Sequence, residues 1–212
     1  MYKLFIYTGL FLIYSFIGWI MEIIVTLIEK GKLVNRGFMI GPVVPIYGIG
    51  GLLLTFLLNS FKDKILVLFI LSVLICGTLE YLISYFMEKV FKARWWDYSD
   101  EILNINGRVC LKNLIGFGIL GVIMVSFVNP VLINMLEEID PLLLKVVISV
   151  LSITFVIDLF ISTIIIYSIK KIGKKVKKDS TEEIGTKVKE ILKNKSLLHK
   201  RITNAFPSLR FK

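Results

Sequence analysis

The chain has 212 residues, 56% of them hydrophobic and 20% charged, and a mean hydropathy of +0.78, where a soluble domain would be about 45–50% apolar and about 25% charged. The formal charge of +10 sits wholly at one end: residues 1–169 hold 12 basic and 12 acidic side chains, and residues 170–212 hold 14 and 4. This excludes a water-soluble globular domain, a disordered chain and, with two cysteines at no metal or disulfide spacing, a stapled secreted module; it leaves an all-α, polytopic membrane helix bundle (1–169) with a basic tail (170–212).

A membrane helix needs about 20 apolar residues, and five runs meet that length. The first lies near Leu4–Ile28 and contains Glu22. It is longer than the apolar core of a signal peptide and shows no small-residue cleavage site, so it is expected to be retained. The second lies near Gly41–Asn59. The third, near Ile65–Val90, contains Glu80 and Glu88. The fourth lies near Leu114–Leu136, and the fifth, near Leu142–Ile169, carries Lys145 near its start and Asp158 in its middle. Lys30, Lys32 and Arg36 follow the first run, Lys89, Lys92, Arg94, Arg108 and Lys112 surround the connection after the third, and the tail is basic. Between the fourth and fifth runs stand Glu137, Glu138 and Asp140. Basic loops stay inside, so five spans place the N-terminus outside and the tail in the cytoplasm, in a multi-pass protein of the plasma membrane.

Polar residues inside these runs follow helical spacing. Ser15, Gly18 and Glu22 share one face, as do Gly77, Glu80, Ser84 and Glu88, and Thr154, Asp158 and Ser162. Intramembrane acids cost about 2.5–3.5 kcal/mol each on insertion scales and turn toward the bundle interior. Each stripe is therefore expected to point inward, with Arg36, Arg94 or Arg108 reaching up to pair with Glu22 or Glu80. Two readings are compatible: ion pairs that lock the helices, or a polar cavity open to the cytoplasm.

The segment from 35 to 51 reads NRGFMIGPVVPIYGIGG. Gly41, Pro42, Pro45, Tyr47 and Gly48 argue against a straight helix. They predict either a broken helix of the kind that marks transporter substrate sites or a simple bend into the second span. Residues 94–112 hold Arg94, Trp95, Trp96, Asp97, Tyr98, Asn104, Asn106 and Arg108, denser than an aromatic belt requires. A folded re-entrant or interface-lying segment is expected. A faint echo links Glu22 followed by Asn35-Arg36-Gly37 with Glu80 followed by Asn106-Gly107-Arg108, each before the next span, as in two parallel repeats. In the tail, Ser180 and Glu183 form a capping box. Ile184, Val188, Ile191 and Leu192 then predict an amphipathic helix near 181–200. It would lie on the anionic inner leaflet, at about 1 kcal/mol per basic residue near the surface, or dock on a partner. That lipid reading makes nucleic acid an unneeded partner. His199, the single histidine, reads as a surface residue.

With these motifs, Gly18-Trp19 and Glu22, NRGF with GP and PIYGxG at 35–50, Leu79-Glu80-Tyr81, RWWDYS at 94–99 and NxNGRVCL at 104–111, the chain resembles the CmpB-like ABC-transporter type IV permeases. The likeness covers residues about 11–125. It implies an integral-membrane permease component and importance for Glu22, Arg36, Glu80, Arg94, Asp97, Asn106 and Arg108. It brings no substrate, cofactor or metal.

The chain lacks a GxxxxGK[ST] loop, so a permease of this type needs a separate ATPase, and five spans call for a homodimer or a second membrane subunit. No catalytic residue is assigned. A non-transporting scaffold or regulatory subunit is the alternative. An intramembrane lipid-modifying enzyme is a third, motivated by Arg, Asp and Asn clustered where a phosphate could bind.

Overall fold

The structure, a computed structural model, describes residues 2–31, 35, 37–91, 93–176 and 210–211. Arg36 and the amphipathic helix near 181–200 lie outside the described residues.

Helix α1, Tyr2–Lys30, is 29 residues long. It is apolar, free of proline, and closed by Gly31, whose φ of +62° lets its amide reach Leu27 O at 2.9 Å. Residues 35 and 37–44 run back along α1 without helical structure. Val44 N bonds to Ser15 O at 2.9 Å, about halfway along α1. There α2, Pro45–Leu58, begins, prolonged by a 3-10 turn at Asn59–Phe61. The residue before a proline avoids helical angles; Val44, before Pro45, is extended, with φ −126° and ψ 96°. This is why the helix starts four residues later than the apolar run. Gly41 and Pro42 thus precede the helix, and Pro45, Tyr47 and Gly48 lie in the first turn of α2. Proline suits the opening position of a helix. Gly48 serves close approach: a Cβ there would strike Ser15 Oγ and the Phe11 ring.

Helix α3, Ile65–Phe91, follows a short turn and packs against α2. After the connection 92–110 comes α4, Leu111–Ile123, which continues through a π-helical turn, Met124–Val128, into α5, Asn129–Glu137. Pro130 has no amide to donate, and the wider turn before it absorbs the missing bond. Asp140 opens α6, Pro141–Val176. Its Oδ1 takes the amides of Leu142 and Leu143, both at 3.0 Å, as an N-cap before a proline.

Four helical stretches are long and apolar enough to cross a membrane: Tyr2–Ile28, Ile65–Phe91, Leu111–Glu137 and Pro141–Tyr167, each of 27 residues. The fifth, Pro45–Phe61, is shorter, about 25 Å at helical rise against a hydrocarbon core of about 30 Å. Strand pairing among the described residues is confined to a two-residue antiparallel pairing of Ala93–Arg94 with Arg210–Phe211 and a single bridge between Ile105 and Val109.

The most extensive packing joins α1 to α2 and α3 to α4. At one end Ile6, Leu10, Tyr14, Leu136, Leu144 and Ile148 form a core. Leu54, Leu58, Leu68 and Val125 form a second between α2, α3 and the π turn. The rings of Phe38, Phe91, Trp95 and Tyr167 gather at the opposite end. Large apolar side chains cover the outside, α6 most of all; that is the arrangement expected where the solvent is lipid.

Candidate functional site

The two helix pairs are built alike. Each has a long helix, a segment that returns along it, and a second helix starting beside the long helix's glutamate. In each, the third residue of the second helix donates to that glutamate. Tyr47 OH bonds to Glu22 Oε1 at 2.8 Å, and Asn113 Nδ2 to Glu80 Oε1 at 3.4 Å. The Tyr47 ring lies flat against Gly18, where no larger residue fits. Tyr98, from the second returning segment, also donates to Glu80 Oε1 at 3.4 Å. Glu22 and Glu80 stand within electrostatic reach of each other, and Tyr47 feels both, with Tyr98. The glutamates of the first two polar stripes thus face a common interior region. Glu80 is 7% exposed, and its Oε2 has no hydrogen-bond partner among the described residues.

Arg94 and Arg108 do not go where the sequence pointed, and Arg36 lies outside the described residues. Arg108 pairs with Glu88 at 2.7 Å and donates to Ser84 Oγ at 3.2 Å, its guanidinium over the Tyr81 and Tyr85 rings. Arg94 lies 3.5 Å from the same Glu88 oxygen and 3.1 Å from Asp97 Oδ1. Neither bonds to Glu22 or Glu80. The connection brings Tyr98 as far as Glu80, but its guanidiniums meet α3 at the level of Ser84–Glu88. Glu88 is two turns beyond Glu80, about 12 Å along the helix.

The connection is itself a folded unit, as expected. Arg94 NH2 donates to Asn106 O at 3.2 Å, and Asn106 Nδ2 to Tyr81 OH at 2.9 Å. Trp96 Nε1 donates to Arg108 O at 3.1 Å. Asn106 and Gly107, with φ of 53° and 65°, form the left-handed corner that turns the chain back. Asp97 accepts the Ser99 hydroxyl at 2.5 Å and the Ser99 amide at 3.2 Å. The Ser99 hydroxyl first, then its amide and Arg94, outweigh burial and hold the Asp97 carboxyl below its ordinary value.

Asp158 has a different task. Its Oδ1 takes the amide of Ile40 at 3.0 Å, its Oδ2 that of Gly41 at 2.8 Å, and Ser162 Oγ donates to it at 2.9 Å. It holds the first returning segment against α6. Thr154, expected to point inward with it, is exposed and bonds to Val150 O in its own helix. Serine and threonine can satisfy themselves on the preceding turn, so their spacing fixes no direction. Asn35 secures the same segment to α1: its Oδ1 accepts from Trp19 Nε1 and from Gly37 N, each at 3.0 Å.

Spacing missed Asn113 and Asn129. Asn113 could have been found as the one amide at the start of an apolar run. Asn129 sits beside Pro130, bonds to the Tyr14 hydroxyl and donates to Thr55 Oγ1 at 3.0 Å, tying α5 to α1 and α2.

A sequence family described as "Putative ABC-transporter type IV" matches residues 9–163. The chain belongs to this family. The match takes in both helix pairs and α6 as far as Thr163, so Asp158 falls within it as well as the motifs around Glu22 and Glu80. With four long apolar helices, the chain is a membrane protein related to transporters. No curated protein and no solved structure matches it.

Proposed function

We propose that the protein is a permease-like integral membrane subunit of an ABC-type transporter and that a separate ATPase drives it. The carrying observation is that Glu22 and Glu80, from two different long helices, lie within electrostatic reach of each other, the first held by Tyr47 and the second by Tyr98 and Asn113. Buried acids of this kind mark pathways in membrane proteins, and family membership supports the transporter type. In this reading α2 and its returning segment together make the fifth crossing of a transmembrane domain over 1–169. The N-terminus is outside, and the tail 170–212 lies in the cytoplasm against anionic lipid of the plasma membrane. The protein itself performs no covalent chemistry. A homodimer or a second membrane subunit completes the pathway.

Affinity purification of the tagged chain from its native membranes tests this. The expected result is a co-purified subunit bearing a GxxxxGK[ST] loop, with ATP hydrolysis that falls at least about tenfold in the Glu80→Gln complex, equivalent to about 1.4 kcal/mol of barrier. Recovery of membrane partners without any ATPase would favour the scaffold reading, which draws support from the complete pairing of Glu88, Arg94 and Arg108.

A further inference from the structure

We propose that Glu80 anchors a binding site for one compact positive charge, an alkali-metal ion or the ammonium head of a small amine. The inference names the ligand class for the site already described and rests on the transport reading for its purpose, though not for its measurement. A carboxyl group at membrane depth is costly unless partnered. Glu80 is 7% exposed, yet both of its donors, Tyr98 OH and Asn113 Nδ2, address Oε1, each at a long 3.4 Å. Oε2 is buried and has no hydrogen-bond partner among the described residues.

Among the described residues, the two arginines of the connection are committed elsewhere. Arg94 and Arg108 are held by Glu88, and Arg94 also by Asp97. The start of α4 acts on Oε1 through Asn113, which leaves Oε2 for a ligand. The charged group facing Glu80 from α1 is Glu22, which adds negative potential and takes the Tyr47 hydroxyl. From the returning segment and from α2 come Tyr98 and Tyr47, whose hydroxyls are oxygen ligands and whose ring faces suit an ammonium group. A buried carboxylate oxygen without a hydrogen-bond partner among the described residues, beside phenol oxygens, selects a cation by charge, and its burial selects a small one.

The test uses the full-length protein in lipid nanodiscs at constant ionic strength, with N-methylglucamine chloride replaced stepwise by NaCl, KCl or methylammonium chloride. A saturable rise in unfolding temperature is expected in one of the three arms, metal ion or amine, because a ligand of the native state stabilises it. The rise should vanish in Glu80→Gln and persist in Glu138→Gln, an exposed position. If Glu80→Gln fails to fold, Tyr98→Phe serves: it should raise the half-saturating concentration about tenfold, the effect of one hydrogen bond to a charged group. No cation-specific rise, a rise unchanged in Glu80→Gln, or an unchanged half-saturation in Tyr98→Phe overturns the proposal. If cation binding fails while the ATPase still co-purifies, the transport reading stands with another ligand; the opposite pattern leaves a cation site without a pump.

Discussion

Glu80 and Glu88 lie two turns apart on α3 and are treated in opposite ways. Glu88 meets two guanidiniums, and Glu80 meets none among the described residues. Replacing Glu88 by Gln leaves Arg108 buried without its counter-charge, so unfolding in detergent should be easier by about 3 kcal/mol or more. Asn129→Ala cuts the link from α5 to Tyr14 and Thr55. A cost of about 1–2 kcal/mol is expected in the same assay, within the range of buried interhelical bonds in membranes. Asp97 carries a pH signature. Its carboxyl is held below the ordinary value of about 3.9, so its contribution to the folded connection is complete above that value and is lost as pH falls through the lower native one. Protease cleavage between 94 and 108 should therefore begin only below about pH 4, and at higher pH in Ser99→Ala. The sequence showed the carboxylates because helical periodicity is local. It did not show which acid the arginines would meet, since that depends on how far a connection folds back, which spacing does not encode.

At the scale of elements, the returning segment 35–44 is the feature on which α2 depends. Its described residues form few backbone bonds of their own and are held to α6 by Asp158 and to α1 by Asn35 through Trp19. Asp158→Ala should speed hydrogen exchange at the amides of Ile40 and Gly41 by about tenfold or more, as one charge-assisted bond predicts, while α3 and α4 keep their protection. Exchange unchanged at 40–41 would show that Asn35 suffices. Pro42 and Pro45 announced the break in the sequence, because a ring without an amide acts wherever it stands. The helical start at Pro45 was harder to read: the glycines that looked like breakers are there because α1 lies close. The same distinction separates the π turn at Met124–Val128, invisible in an apolar run, from Pro130, which is plain in it.

For the whole molecule, length and composition made five apolar runs legible, of which four form helices long enough to cross a membrane and the second forms a shorter one. Which side of the membrane each connection occupies rests on charge. In a background with Cys76 and Cys110 changed to Ser, cysteines introduced at the exposed positions Ser99 and Glu138 should behave oppositely. A membrane-impermeant maleimide is expected to label position 138 in intact cells and position 99 only after permeabilisation; the reverse pattern would invert the topology. The likeness of the two helix pairs bears on how the chain is assembled. The turn at 62–64 is all that strings one pair to the next, and on either side of it the surfaces that meet, Leu54 and Leu58 with Leu68 and Val125, are already complete. Two gene fragments divided at that turn should therefore find each other in the bilayer and restore the intact protein, as separately made halves of a modular machine do.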